Sequence, residues 1–513
     1  MADDIATHPP TSWFRVEYDV PARFAGTDEA IAWENKILVR EVIDRLQDLI
    51  TQKIQTSDEE AGRYPRGRAR FAGVNDGGNF NMILKFKFSI QGRPEVALRY
   101  PVPGFTAAAL VSEMVENEAN WLTFMEEKKV LKVPHLYCWN SKGLQGDDDI
   151  GRIVGPYILM EFVEGEGLLD WLSKWTKEAD DGNLESGLKR DTVYEQVAEM
   201  YLQLYNVRFD RIGSITKNAE TGEWAVTRRP MTQDMHQQAL GVPGYPIDSF
   251  PPGPLNKSHE FKELLVNIHA NQLQHLRNIN IPCEIGEREI FEQEVGKIDM
   301  NRAMETARFR WLARRAFAKS TAKLPYIDDD ADTKDGFIVF NFDFHPRNML
   351  VDPTTGAITA VLDLEGTNTM PAAFAKDPPL WLAYWALENV LDCGVFSLRV
   401  PQYGALLTRF LDIMERIESK QEKKNDPPLS TIMRESWESK ACLVNFAAQR
   451  SDCFDGLYWL LPDRFPRLGD EQSPEVEKEI EEYQEWTKKQ IAAYEEERAS
   501  KKTRSNQSTS LFL

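Results

Sequence analysis

Residues 337–366 read FIVFNFDFHPRNMLVDPTTGAITAVLDLEG. Phe337 to Phe340 is an apolar run of the kind that forms a short buried strand. In the polar stretch that follows, Asp343 and Asn348 are separated by four residues. Met349 to Val351 is apolar again, and Asp352-Pro353-Thr354-Thr355-Gly356 has the composition of a tight turn. Ala357 to Leu362 reads as a returning strand that ends at Asp363. A hairpin centred near Thr354 brings Asp363 back opposite residues near His345, beside the loop that holds Asp343 and Asn348. Two carboxylates and an amide then converge at one strand end.

That set of hard oxygen donors suits Mg²⁺, which usually completes its octahedron with phosphate and water. A carboxylate left beside a Mg-ATP site can orient a hydroxyl and accept its proton late in phosphoryl transfer. The spacing therefore marks Asp343 as a candidate catalytic carboxylate, and Asn348 and Asp363 as candidate metal ligands. The bland alternative is a surface hairpin rich in Asx turns.

The flanking sequence is organised in two parts. Residues 28–55 have the apolar spacing of an amphipathic helix, through Leu38, Val39, Val42, Ile43, Leu46, Leu49 and Ile50. FAGVNDGGNF, starting at Phe71, is turn-like, and MILKFKFSI and EVALRY read as short strands. A helix is expected from about Thr106 to Lys129, and GPYILMEFVEG as a further strand. From Leu168 to about residue 325 helix dominates. It is interrupted by the charged segment 176–191 and by the Pro-rich segment 242–256, which cannot be regular helix. IDDDADTKDG (327–336) reads as a solvated loop. Strands return at 336–363 and helices then run to about 498, before a polar tail expected to be disordered. The expected divisions are an N-terminal helical extension (1–60), a β-rich N-lobe (61–165), a helical C-lobe (166–470), and a C-terminal helix with its tail (471–513).

Composition removes several classes of function. The chain has 513 residues, 42% hydrophobic and 28% charged, and a formal net charge of −20. That charge argues against nucleic acid or an anionic membrane as partner, since both reward basic patches. No window approaches the ~20 apolar residues of a membrane span. The five cysteines, Cys138, Cys283, Cys393, Cys442 and Cys453, are scattered and odd in number, as expected of small buried hydrophobes in a reducing compartment. MADDIATHPPTSWF has neither a basic start nor an apolar core, and it is acidic where a transit peptide would be Arg-rich, so the expected location is cytoplasmic. His8, His135, His236, His259, His269 and His275 show no metal-ligand spacing and read as structural.

NFDFHPRNMLVD…ITAVLDLEG resembles the catalytic loop and metal-binding motif of aminoglycoside phosphotransferase-like, or choline-kinase-like, enzymes. Their loop typically reads HGDLHPGNLLVD and their later motif DWE. The similarity is greatest to a large fungal phosphotransferase set with DLHPRN and IDLE, and FDRIGSI (209–215) is similar to that set's FPRIGSL. The resemblance runs from about residue 70 to 390 and is loose in the middle. It implies a bilobal, protein-kinase-like α+β fold, ATP as phosphoryl donor with Mg²⁺, and a small-molecule acceptor. Two positions depart from the pattern. The family's His two residues before the catalytic Asp is Asn341, and the intervening Gly is Phe342. His345 fits the pattern, for loop support or approach to phosphate.

The N-lobe adds its own signals. Gly73, Gly77 and Gly78 precede a strand, where a glycine-rich turn lets the backbone approach phosphates; a plain hairpin turn would look the same. On the helix near 106–129, Leu110, Met114, Glu118 and Leu122 fall on one stripe, with Met125 beside them. Glu118 inside an apolar face needs a cationic partner, and Arg99 in VALRY is the natural candidate. By the resemblance, Arg99 stands where a kinase places Lys, and Met160, Glu161, Phe162 and Val163 form the segment between lobes whose backbone reads adenine.

These readings combine into an ATP- and Mg²⁺-dependent phosphotransferase acting on a small-molecule hydroxyl. The alternative is a nucleotide-binding pseudoenzyme of the same fold. A protein kinase is disfavoured, because PAAFAKDPPLW follows the second motif where an APE-like segment would be. By the resemblance, acceptor choice lies in 230–330 and 380–460.

Overall fold

Val42, Ile43, Leu46, Ile50 and Ile54 recur at helical spacing and are all buried, but the helix that carries them begins at Arg40. In the computed structural model the single helix expected over 28–55 is two, α1 (Val20–Ile37) and α2 (Arg40–Ala61). The structure describes residues 10–16, 19–61, 67–76, 80–90, 92–143, 154–180, 182–282, 298–320, 334–383, 387–392, 394, 396–422, 425–465 and 467–509.

Five short strands follow: β1 (Ala69–Asp76), β2 (Asn81–Phe88), β3 (Val96–Pro101), β4 (Leu136–Asn140) and β5 (Tyr157–Glu161). They form one antiparallel sheet in the order β1-β2-β3-β5-β4. Successive side chains on a strand face opposite sides, and both sides of this sheet are covered. Leu84, Phe86, Val96, Leu98, Tyr100 and Leu159 pack under α2, against Val42, Leu46, Ile50 and Ile54. Ala97, Ile158 and Met160 face the other way, toward Val115, Leu122 and Met125 of α3 (Val111–Lys128). The N-terminal helices therefore supply one whole face of the small lobe's core.

The larger lobe is mainly helical. Among its described residues the charged segment 176–191, expected to interrupt helix, is helical except at 182 and 183: it ends α4 (Leu168–Asp180) and begins α5 (Leu184–Tyr205). Asn183 caps α5 by accepting from the Ser186 amide at 3.2 Å. Residues 208–228 are strands, not helix. After β6 (Glu166–Gly167) and β7 (Arg208–Phe209), a hairpin joins β8 (Ser214–Lys217) to β9 (Trp224–Arg228). Its turn is legible in retrospect, since Asn218 accepts from the Glu220 and Thr221 amides and Gly222 has φ +72°. The Pro-rich segment 242–256 contains only a short 3₁₀ turn, Ile247–Ser249, as its prolines require. It separates α6 (Gln233–Gly241) from α7 (Ser258–His275), and α8 (Met300–Ser320) follows. Residues 327–333 of the acidic stretch lie outside the described residues.

The decisive hairpin comes next: β10 (Phe337–Asn341), β11 (Met349–Val351), β12 (Ile358–Val361) and β13 (Thr367–Met370). These strands form two small antiparallel sheets, β13-β10-β7 and β12-β11-β6. The C-terminal helices are α9 (Ala372–Ala375), α10 (Leu387–Asp392), α11 (Phe396–Lys420), α12 (Leu429–Ser439), α13 (Ala441–Gln449), α14 (Phe454–Leu460) and α15 (Pro474–Thr509). The last runs past residue 498, into the stretch expected to be disordered. Phe454, Tyr458 and Trp459 fill the core around α14. Cys138, Cys442 and Cys453 are free thiols; Cys283 and Cys393 lie outside the described residues. Among the described residues no helix is long and apolar enough to cross a membrane.

Two features tie the lobes together. Before α1, Phe14 is buried beside Phe454, Leu457 and Tyr458 of the large lobe. Asp19, fully buried, caps α1 through the Ala22 amide and accepts from Arg277 Nη2 at 2.8 Å. Further along α1, Gly26 meets Gly104 backbone to backbone: a Cβ on Gly26 would lie 2.3 Å from the Gly104 carbonyl oxygen. The chain from Thr11 to Ala61 thus straps one lobe to the other. Helix α3 is held from outside by the β8–β9 hairpin and its exit, through Glu113–Arg229, Glu116–Arg228 and Glu127–Lys217.

Candidate active site

The hairpin places the motif residues through main-chain pairing. Met349 lies opposite Val361, and the Leu362 amide donates to the Asn348 carbonyl at 2.7 Å. The turn closes on Asp352, whose Oδ1 accepts from the amides of Thr354 and Thr355. Asp363 then leaves the strand in the left-handed region, at φ +58°. A non-glycine residue with this φ is uncommon, and here the Asp363 side chain reaches Arg99 Nη2.

Asn341 bridges the two motifs. Its Oδ1 accepts from the Asp343 amide at 2.7 Å, and its Nδ2 donates to the Asp363 carbonyl at 3.2 Å. The Asn that replaces the family's usual His therefore supplies the loop with hydrogen bonds on both sides. Phe342, in place of the Gly, packs its ring 6.0 Å from Phe446 and 5.5 Å from the Arg450 guanidinium, which is itself bound to Asp452.

Asp343 is exposed, and its Oδ2 accepts from Asn348 Nδ2 at 2.6 Å. Since Nδ2 also reaches the Asp343 carbonyl at 3.1 Å, the amide oxygen of Asn348 is the end that a cation could use. His345 is a support for the loop. Its Nδ1 accepts from the Arg347 amide at 3.1 Å, which leaves the ring proton on Nε2. Burial, with Arg347 beside it, pushes its pKa down to about 4, so the ring is neutral at pH 7.

Arg99 of β3 and Glu118 of α3 meet inside the small lobe, both buried, with Arg99 Nη1 donating to Glu118 Oε2. The apolar stripe read from the sequence is present: Leu110, Met114, Leu122 and Met125 are buried alongside Glu118. Arg99 has two further partners. Its Nη2 donates to Asp363 Oδ1 at 3.1 Å and to Glu365 Oε2 at 2.8 Å. Burial and the neighbouring Glu365 push Asp363 up to about 7, against the pull of Arg99.

The sequence reading missed Glu365 as a member of the site, although it lies in the quoted motif. It also missed Asn117. This buried side chain donates to the carbonyls of Glu365 at 2.8 Å and Thr367 at 3.0 Å, pinning α3 to the segment after Asp363. Its neighbour Glu118 drew attention because a carboxylate on an apolar stripe is anomalous, whereas an amide is not. His236, read as structural, accepts from the Ala107 amide at 3.1 Å and joins the lobes at the cleft edge.

The nucleotide-side residues fare unevenly. Gly73 is not in the turn but inside β1, at a bulge in its pairing with β2, with φ +140°. Gly77 and Gly78 lie outside the described residues. At the interlobe segment, the amides of Glu161 and Phe162 are already committed to the carbonyls of His135 and Glu95. Met160 is buried in the sheet, and Val163 follows the strand. Lys85, on the cleft face of β2, sits 3.8 Å from the centre of the Phe162 ring and pairs with Glu95.

Among the described residues no three His, Cys, Asp or Glu side chains form a closed metal cage. The donors present are one amide oxygen and one carboxylate that open on the cleft. They fit an ion that keeps part of its shell for water and phosphate, as Mg²⁺ does.

No family model matches the chain. It is similar to "Altered inheritance of mitochondria protein 9, mitochondrial" of Saccharomyces cerevisiae, 29% identical over 121 residues, which is 24% of this chain and 18% of that protein. The protein of the same name from Scheffersomyces stipitis is 25% identical over 134 residues, 26% of this chain and 20% of that one. The chain thus matches about a fifth of the length of these curated relatives. Among solved structures it is similar to a thermostable mutant of aminoglycoside phosphotransferase APH(4)-Ia in ternary complex with AMP-PNP and hygromycin B. That match has a TM-score of 0.34, 13% identity, and covers 80% of this chain and 98% of that one. It is also similar to macrolide 2'-phosphotransferase MphH from Brachybacterium faecium, with a TM-score of 0.31, 13% identity, and 82% and 98% covered. Similarity of this degree transfers no residue roles. The expected cytoplasmic location is overturned, since the curated relatives are named as mitochondrial proteins. Neither fold nor site encodes location.

Proposed function

We propose that this chain transfers a phosphoryl group from ATP to a hydroxyl of a small-molecule acceptor, with Asp343 as the catalytic carboxylate. The observation that carries the proposal is the convergence of Asp343, Asn348 and Asp363 at one strand end, where Arg99, paired with Glu118 in the small lobe, reaches across to Asp363. Asp343 is exposed to the cleft and oriented by Asn348, so it can accept a hydroxyl proton. Asn348 Oδ1 and Asp363 would hold Mg²⁺, which supplies neutralisation of phosphate charge when bound. Arg99 offers a planar fork suited to phosphate oxygens. The backbone near Met160 to Val163, with the Phe162 ring, would border the adenine, and Phe342 and Phe446 would wall the acceptor side. The names of the fungal relatives extend the proposal to a mitochondrial location.

The second reading is a nucleotide-binding protein without transfer. In its favour, Arg99 already holds Asp363 and Glu365. Calorimetry with Mg-ATP, combined with single-turnover kinetics over a broad acceptor panel, separates the two. Asp343→Asn should bind Mg-ATP at near wild-type affinity while transfer falls roughly 10²–10⁴-fold. Asp363→Asn should weaken binding and turnover together. Reversed phenotypes would reverse the roles. A wild-type chain that binds Mg-ATP and phosphorylates nothing would favour the second reading.

A further inference from the structure

One guanidinium serves three carboxylates at the centre of this site. Arg99 Nη1 holds Glu118, and Nη2 holds both Asp363, at 3.1 Å, and Glu365, at 2.8 Å. The two sides of this tripod differ. The Glu118 side chain is 2% exposed, whereas Asp363 is 32% and Glu365 21% exposed toward the cleft. The Glu118 pair is sealed inside the protein, where breaking it would leave a bare buried charge. The Asp363 and Glu365 contacts face solvent and can exchange for other partners.

The geometry points to Arg99 as an internal counter-cation, which occupies Asp363 and Glu365 until a metal–nucleotide complex replaces it. This inference rests on the metal assignment proposed above. A divalent ion arriving alone must compete with a cation already 3.1 Å from its carboxylate ligand. An ion arriving with phosphates brings acceptors for the Nη2 edge, so Arg99 can release the carboxylates and keep Glu118. Metal binding thereby becomes conditional on nucleotide. The fork geometry also gives a reason for Arg at this position, since a single ammonium is a compact point charge and lacks the fork that spans three carboxylates from a fixed stem.

The test is Mn²⁺ binding to the full chain without nucleotide, followed by electron paramagnetic resonance. The variants are Arg99→Met and the double variant Arg99→Met/Glu118→Gln, in which no buried Glu118 charge is stranded and folding is protected. Wild type should bind Mn²⁺ weakly, and both variants at least about tenfold more tightly, because a like charge has left the site. Adding Asp363→Asn to the double variant should abolish the gain. Unchanged affinity in the folded double variant, or a gain that survives Asp363→Asn, overturns the inference. If the gain appears and Mg-ATP binds but nothing is phosphorylated, the counter-cation stands and the proposed function fails. If Mg-ATP binds and is used while Mn²⁺ affinity does not change, the inference alone fails.

Discussion

The side-chain oxygen of Asn341 accepts a hydrogen bond from the amide of Asp343 at 2.7 Å. Because the same side chain donates to the Asp363 carbonyl, one amide sets the distance between the two halves of the candidate site. Asn341→Ala should leave Mg-ATP affinity within a few-fold of wild type and lower turnover roughly 10–100-fold, the usual cost of removing a group that orients a site ligand. Asn341→Asp keeps the acceptor but loses the donor, and should fall between. Steady-state kinetics with a confirmed acceptor would read both. Equal turnover in all three proteins would show that the bridge does not position Asp343.

Asn117 is the tether between α3 and the segment after Asp363. Asn117→Leu should leave the Glu365 and Thr367 carbonyls without these donors and cost on the order of 1–3 kcal/mol in urea or thermal unfolding. It should also raise the Kd for Mg-ATP, because Glu365 and Asp363 lose their fixed relation to Arg99. Asn117→Asp, which cannot donate when ionised, should destabilise at least as much. A destabilised Asn117→Leu protein with unaltered Kd would confine the tether to a folding role.

The strap predicts a stability effect far from the cleft. Asp19 is buried, caps α1 and is held by Arg277, which also binds Glu497 at 2.7 Å. Removing one partner of a buried ion pair costs about 3–5 kcal/mol, and Arg277 is partly open, so Asp19→Ala should lie near the lower end of that range. Asp19→Asn can still cap the helix and should cost less. Chemical denaturation of the full chain measures both, and equal losses would mean that the charge contributes nothing beyond the cap.

His269 should govern part of the acid sensitivity. It is buried between the rings of Phe317 and Phe454 and bonded to the Ala448 carbonyl at 2.9 Å. Burial first, then the nearby Arg314, push its pKa down to about 3. A depressed folded-state pKa means the neutral ring is stabilising above the ordinary value of ~6.5, and that this stability is lost as pH falls. One such group contributes a slope of at most about 1.4 kcal/mol per pH unit. His269→Gln, which can still donate to Ala448, should flatten the fall in melting temperature between pH 6.5 and 4.5. Parallel curves for the two proteins would assign the acid loss to other groups.

Sequence alone determined the parts of this protein that depend on local order. The alternation of apolar runs and turn residues in 337–366 set the hairpin, and a two-stranded return can bring residue 363 only to the neighbourhood of residues 343 and 348. The stripe Leu110-Met114-Glu118-Leu122 marked Glu118 as a buried carboxylate, because a helix repeats every 3.6 residues whatever surrounds it. Tertiary structure decided what local order cannot reach. Arg99 and Glu365 are 266 positions apart, and nothing in either segment indicates that one guanidinium will serve three carboxylates. The cover over the sheet's outer face, the β8–β9 hairpin clamped on α3, and the Asp19–Arg277 latch are likewise contacts between distant segments. Helical spacing over 28–55 could not reveal the break after Ile37, since both helices bury apolar side chains and the spacing alone does not register where one ends. The charged residues of 176–191 are compatible with helix and with loop alike. Packing of α4 and α5 against the core decided for helix.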